Sequence, residues 1–486
     1  MDQPKPKLPE LLAPAGNPER LRTALHYGAD AVYVGLKAMS LRNYADNFTP
    51  AELKEACALA HSMGRRVYVT LNAFARDEDL QALPQLLEQA AEAEADALIV
   101  NDPGVIRMAK EMTPHMPLHL STQANTLNAQ AAAFWWEQGV KRIVLARELS
   151  IEQMGELIRQ SPKGLEFEAF VHGAMCVAYS GRCLLSAYLA GRDPNRGECA
   201  QPCRWSYALR ERGPGAAYGW FPVEQDQRGT YVLNSRDLRL IQYIPQLAEA
   251  GLSSLKIEGR MKSIAYVATV VNAYRMALDA YGQSLATGTP YQLDPDLLQE
   301  LERASHRPYT TGFALGLGAT PYQAPESAAY IGEGTIGAVV LSYDPRQGRA
   351  AIEQRNKFAL GDTLSILSPG TWAAPFGWRA CGILTAPPGR IPPIPGSGCC
   401  WPAILPCRQG ISCASCQRHS PGPLPKPWTH SAACGPIARN HRQLRPHLSS
   451  PFAGRPWRGN ALSTPPSRCW NKWGRTRRMG PGKAEC

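Results

Sequence analysis

The 486-residue chain contains no run of 18 or more apolar residues, so no segment reads as a membrane-spanning helix. Its start, Met1-Asp2-Gln3-Pro4-Lys5-Pro6, lacks the charged-then-apolar pattern of a secretory signal, and the expected location is the cytoplasm. Neither H-E-x-x-H nor G-x-S-x-G occurs between residues 1 and 370, which removes two familiar hydrolase signatures. Acidic residues almost vanish near the end: residues 371–486 hold 16 Lys and Arg against the single acid Glu485, and no Asp follows Asp362. The net charge of +11 therefore belongs to that stretch, because residues 1–370 balance at −4, and the basic total is no argument for a nucleic-acid partner. The same stretch holds 9 of the 14 Cys, 7 of the 11 Trp and 19 of the 42 Pro, without sustained apolar periodicity. Residues 371–486 have the composition of an out-of-frame translation of a GC-rich gene. A disordered Arg/Pro extension is the alternative, and a metal module would rest on Cys413 and Cys416 alone.

What remains is strongly patterned. Short apolar strands at 10–14, 30–35, 66–72, 96–101, 117–123, 142–147, 165–173 and 254–260 alternate with helical segments. Helix starts are explicit: Thr49-Pro50-Ala51-Glu52 and Ser150-Ile151-Glu152-Gln153 place a hydroxyl cap three residues before Glu or Gln, which satisfies otherwise unpaired amides. Eight such units predict an α/β fold, a closed (β/α)8 TIM-like barrel over residues 1–285, with a doubly wound open sheet as the alternative. Residues 174–230 interrupt it as a Cys-rich insertion after the seventh strand. A small C-terminal β domain follows at 290–370, truncated if the remainder is out of frame.

Within the strands, polar residues share one parity. Tyr68, Thr70 and Asn72, then His119, Ser121 and Gln123, then Glu166, Glu168 and His172, then Ser254, Lys256, Glu258 and Arg260 alternate with apolar neighbours. A barrel turns its apolar parity outward to its helices, so the lumen is expected to be polar, and buried charge is costly unless it is paired or ligand-bound. That predicts a substrate cavity; a self-satisfied network such as Lys256 with Glu168 is the alternative. Strand C-termini form the catalytic end of such barrels. Asn72, Asn101, Gln123, Arg147, Lys256 and Arg260 are therefore expected to bind substrate, the three cations as forks for a small anion. His172 and Glu258 are the acid–base candidates.

Four of the five cysteines before residue 371 fall at Cys176, Cys183, Cys199 and Cys203, spaced C-x₆-C-x₁₅-C-x₃-C, while Cys57 lies apart. In a reducing compartment such a cluster favours a metal over disulfides, and soft thiolates select zinc or iron–sulfur. The six-residue gap is longer than a usual zinc knuckle, which leans toward iron–sulfur without deciding it.

Residues 168–186 read E-x-F-x-x-G-A-M-C-x₄-G-x-C-x-L-S, which resembles the signature of the peptidase U32 family. Segments 10–16, 27–33, 234–238, 254–260, 306–313 and 355–362 carry the likeness to about residue 369, strongest toward the branch that hydroxylates tRNA. The resemblance implies a barrel, a [4Fe-4S] cluster on Cys176, Cys183, Cys199 and Cys203, and tRNA as partner. It also implies oxygen-independent 5-hydroxylation of the wobble uridine with prephenate as the small anionic co-substrate. Its rivals are a collagenase-like peptidase using Cys176 with His172, hydroxylation of ribosomal RNA, and a non-catalytic RNA-binding scaffold. No feature of the sequence sets an oligomeric state.

Overall fold

The computed structural model describes residues 8–41, 45–176, 178–179, 182–204, 224–226, 229–231, 235–316, 331–332, 335–344, 349–358, 363–371, 374–377 and 404–407. Eight parallel strands close on themselves: β1 (Glu10–Pro14), β2 (Ala31–Gly35), β3 (Arg66–Leu71), β4 (Ala97–Val100), β5 (Leu118–Leu120), β6 (Val140–Val144), β7 (Glu166–Ala174) and β11 (Ser254–Ile257). Three short strands lie between the last two: β8 (Glu224–Asp226), β9 (Gly229–Tyr231) and β10 (Asp237–Arg239). β11 pairs in parallel with both β7 and β1, which closes the barrel, so the open-sheet alternative is excluded.

Helices α1 (Pro18–His26), α2 (Pro50–Ser62), α3 (Asp77–Leu80), α4 (Leu83–Glu92), α5 (Pro103–Met112), α6 (Ala129–Glu137), α7 (Ile151–Gln160), α8 (Leu185–Ala190), α9 (Ile244–Glu249), α10 (Ile264–Thr287) and α11 (Pro295–Arg303) connect the strands or follow the last one. Both expected capping boxes are formed, Thr49 with Glu52 and Ser150 with Gln153. The outward parity of the strands, including Leu11, Val32, Val34, Val67, Val69, Leu98 and Val100, packs with the inner faces of the helices in one apolar layer. The 24-residue α10 contributes Val267, Val270, Val271, Tyr274 and Leu278, each fully buried, and packs against α1 and β1.

Inside, the expectation of a polar lumen holds, and among the described residues its amino-terminal half follows the self-satisfied alternative rather than the substrate cavity. Leu12, Ala31, Tyr33, Tyr68, Ala97 and Ile99 form a separate internal cluster. Beside it the buried Arg142 guanidinium meets Glu10 Oε1 at 2.6 Å, Glu166 Oε2 at 2.7 Å and Glu168 Oε2 at 3.4 Å. Lys256 Nζ meets Glu168 Oε1 at 2.8 Å, and the Tyr68 hydroxyl donates to Glu10 Oε2 at 2.8 Å. Burial alone would raise the Glu168 carboxyl, but the Lys256 and Arg142 charges outweigh it and hold it below the ordinary range. The amino-terminal half of the barrel is thus a packed plug whose charges are paired with one another.

Beside the barrel, β10 pairs antiparallel with the end of β7, and β12 (Tyr309–Thr310), which follows β11 in the chain, pairs parallel with β10. Asp237 and Arg307, both 1% exposed, pair there, with Arg307 Nε donating to Asp237 Oδ1 at 3.0 Å. A second sheet holds β13 (Thr335–Asp344), β14 (Arg349–Gln354), β15 (Thr363–Ile366), β16 (Ala374–Gly377) and β17 (Ile404–Cys407), all antiparallel in the order β14-β13-β17-β15-β16. It joins the barrel through Tyr27, whose hydroxyl donates to the Leu367 carbonyl at 2.9 Å, and through Asn272, whose amide spans Gly370 and Thr371. Two strands of this sheet come from beyond residue 370, where the domain was expected to end. The rest of the anomalous 371–486 stretch, Cys413 and Cys416 included, lies outside the described residues apart from Thr371.

Because the plug is ionic, breaking it from one side leaves an uncompensated charge. Glu168→Ala is expected to destabilise the fold by about 3–5 kcal/mol. The joint replacement Glu168→Leu with Lys256→Met should cost much less; urea unfolding of the two variants checks the difference.

Candidate active site at the carboxyl end of the barrel

All eight barrel strands end at one rim, and the residues just past their ends occupy it. β3 and β4 run in register with Leu71 opposite Val100, so Asn72 and Asn101 follow side by side. Asn72 Nδ2 donates to Ser121 Oγ at 3.2 Å, reaching across β4 to the chain that follows β5. Asn101 is 4% exposed, yet neither its Oδ1 nor its Nδ2 meets a hydrogen-bond partner. The same is true of Asn72 Oδ1, Thr126 Oγ1, Arg147 Nε and Glu148 Oε2. These atoms belong to the segments after β3, β4, β5 and β6, one continuous sector of the rim. A buried polar group without a partner costs about 1–3 kcal/mol, a cost that a bound ligand's own polar groups relieve. Gln123 sits half-buried in the same sector on a short 3-10 turn.

Arg147 follows β6, donates from Nη1 to the Ala174 carbonyl at 3.0 Å and stacks 3.9 Å from the Phe170 ring centroid. The small cavity beside it, lined by Leu145, Phe170, Leu238 and Ala314, has room for about 10 Å³, one water at most. Glu258 is half-buried at the rim after β11, and its Oε2 accepts from the Tyr33 hydroxyl at 3.2 Å. Glu148 was not among the expected residues. Burial pushes its carboxyl up from the ordinary value, and its place directly after Arg147 at the end of the sixth strand was the available signal.

Three expected site residues have other employment. Lys256 lies below the rim, bound to Glu168 in the plug. Arg260, 3% exposed, donates to Ser40 Oγ at 2.6 Å, Thr70 Oγ1 at 2.9 Å and Asn47 Oδ1 at 2.7 Å, and so clamps the loop after β2. A Cβ on Gly35 would stand 2.5 Å from Arg260 Nη2, so only glycine leaves room for the clamp. His172 is displaced by a bulge: Lys256 pairs with Phe170 but Ile257 pairs with His172, which shifts the parity of β7 by one. The imidazole therefore packs outside the barrel, 1% exposed, among the rings of Tyr266, Tyr274 and Tyr309 at 5.4–5.9 Å. Neither ring nitrogen has a partner there, so His172 is not placed to exchange protons with a ligand in the mouth.

Beyond the bulge, Gly173 takes φ +102°, and a Cβ there would lie 2.5 Å from the Glu258 carbonyl. The chain then leaves the rim as the thiol-bearing segment. Cys176 is exposed, and Cys183, Cys199 and Cys203 are half-buried. This segment bridges the mouth. From β7 it reaches the loop after β3, four strands round the barrel, where the Phe74 amide donates to the Asn195 carbonyl at 3.0 Å and Arg196 binds Asp79 at 2.6 Å. Within it Asn195 Nδ2 donates to the Cys183 carbonyl at 3.0 Å, and Ser186 Oγ accepts from the Ala200 amide at 2.9 Å. Gln201, at φ +55°, turns its amide onto Cys199 Sγ at 3.3 Å, the kind of contact that tunes a metal-bound sulfur. Four thiols on one braced segment suit a thiophilic group in their chemistry. Among the described residues, however, no three His, Cys, Asp or Glu side chains converge where one metal ion would sit, so a preformed single-zinc site is not present among them.

Comparison with known proteins agrees with this layout. Residues 16–322 match the family model described as Peptidase family U32, and residues 334–377 match the Peptidase family U32 C-terminal domain, which carries the likeness seven residues past 370. The tRNA hydroxylation protein P1 of Bacillus subtilis is 41% identical, over 75% of this chain and 84% of its own length. A collagenase of Porphyromonas gingivalis is 32% identical over 74% of this chain and 87% of its own. The 23S rRNA 5-hydroxycytidine C2501 synthase of Escherichia coli is 34% identical over 63% of this chain and 45% of its own.

The outward position of His172 gives a pH signature. Burial first, then the nearby Arg239, His306 and Lys262, hold its pKa well below the ordinary value, so the folded state excludes a proton that the unfolded chain binds below about pH 6.5. Its stabilising contribution is complete above that pH and is lost as the pH falls toward the folded-state pKa, at up to about 1.4 kcal/mol per unit. Urea midpoints measured between pH 7.5 and 5 should fall less steeply for His172→Phe than for the parent protein.

Proposed function

The chain belongs to peptidase family U32, and from that membership we propose that it is an RNA-modifying enzyme that adds a 5-hydroxyl to the wobble uridine of tRNA. The observation that carries the reading is the braced segment of four cysteines that runs from β7 to the loop after β3, at a rim where several buried polar atoms lack partners. The name of the Bacillus relative, alike over most of both chains, gives the reaction class. A tRNA substrate puts the enzyme in the cytoplasm; among the described residues no helix is long and apolar enough to cross a membrane.

C5 of a uracil is unactivated and calls for either an added nucleophile or an electron-transfer step, and a [4Fe-4S] cluster held by Cys176, Cys183, Cys199 and Cys203 would supply the second. The target base must leave its stack to reach the rim. There the sector from Asn72 to Glu148 would hold the ring, while Glu258, steadied by the Tyr33 hydroxyl, is suited to move a proton. The oxygen donor is proposed to be prephenate, a dicarboxylate. With Lys256 and Arg260 committed elsewhere, Arg147 is the remaining fork among the three expected cations.

The peptidase reading needs His172 to activate Cys176. The imidazole lies outside the barrel wall within an aromatic enclosure, and the thiol is exposed at the far side of Gly173, so that pairing has no geometric support.

Two measurements test the proposal. Full-length protein purified without oxygen is expected to be brown and to carry about four irons and four sulfides per chain. Expressed in a bacterium deficient in the modification, it should restore 5-hydroxyuridine to digested tRNA. A colourless, folded protein that restores nothing contradicts the reading.

A further inference from the structure

Asn101 is the most exactingly placed polar group of the rim. Its carboxamide carries a donor and an acceptor, both buried and both without a partner, and the neighbouring Asn72 adds a second unpartnered acceptor. Asn72 is itself held by Ser121 on the other side of β4, so Asn101 stands between two braced neighbours. The ligand that satisfies such a group must present a donor and an acceptor together. A carboxylate or phosphate, acceptor-only, would engage Nδ2 and face two carbonyl oxygens with its negative charge. The edge of a pyrimidine ring alternates C=O with N–H and meets both ends of one carboxamide at once.

We propose that Asn101, flanked by Asn72, is the base-reading residue of the site and takes the O4/N3–H edge of a splayed uracil in a bidentate pair, leaving the small anionic reactant to Arg147. This rests on the hydroxylase reading and adds to it the contact by which the base is recognised. The amide Nδ2 donates to O4 and Oδ1 accepts from N3–H, which leaves the adjoining C5–C6 edge of the ring uncovered.

The test uses the full-length protein and two anticodon stem–loop RNAs, one with uridine and one with N3-methyluridine at the wobble position. Fluorescence anisotropy should show the parent protein binding the uridine RNA at least about tenfold more tightly, the size of a good bidentate contact. Asn101→Ala should bind both RNAs alike, at the parent's affinity for the methylated one. A second variant separates recognition from folding. Asn101→Leu keeps the volume and removes the orphaned polar atoms, so its melting temperature should rise by about 2–4 °C while its uridine preference disappears. A lower melting temperature for Asn101→Leu, or a preference retained by Asn101→Ala, overturns the assignment. If the parent restores 5-hydroxyuridine in cells but binds both RNAs equally, the base-reading role fails and the hydroxylase reading stands. A parent that does neither overturns both.

Discussion

The buried ion network of Glu10, Arg142, Glu168 and Lys256 is the constraint on which the rest of the architecture depends. Charges taken from four strands occupy the amino-terminal half of the lumen and satisfy one another there. Such a network contributes little net stability against an apolar plug, but each member is indispensable to the others. Its consequence is spatial. With the lower barrel filled, a ligand can be received only at the opposite rim, where the strand ends supply polar groups that the protein itself does not satisfy.

That contrast divides the barrel into an end whose charges are paired and an end that keeps unpartnered polar atoms. At the paired end a cation finds a carboxylate within 3 Å. At the rim, Arg260 is drawn into clamping the loop after β2, while Asn72, Asn101, Thr126, Arg147 and Glu148 keep polar atoms in reserve. The thiol segment completes the arrangement by running from β7 to the loop after β3, where Asn195 meets the Phe74 amide and Arg196 binds Asp79. Tertiary bracing by Arg196 and Asn195 holds a stretch with little regular secondary structure over that region.

Much of this was legible in sequence because it follows from local periodicity. Strand parity and two capping boxes located all eight barrel strands, and the spacing of Cys176, Cys183, Cys199 and Cys203 marked the inserted segment. Parity failed at His172, because a single bulge after Phe170 reverses it and no residue type announces a bulge. Partnerships across long separations were also hidden. Glu10 meets Arg142 over 132 positions, and Arg260 meets Ser40 over 220. Alternation shows that such residues face inward but not whether they find each other. Likewise Asp237 and Arg307 stood in two separate family-like segments, and only the fold brings them into one buried pair. The C-terminal sheet ran past 370 for a different reason: strand pairing recruited residues from a stretch whose composition had no strand period.

The central claim is that substrate RNA is received at the rim above the ionic plug, in the sector between β3 and β6. Photo-crosslinking tests it most directly, using an anticodon stem–loop with 4-thiouridine at the wobble position, ultraviolet irradiation and peptide mapping by mass spectrometry. The account predicts adducts within residues 72–76, 101–104, 121–128 and 145–148. Adducts confined to the amino-terminal rim or to the C-terminal sheet would contradict it.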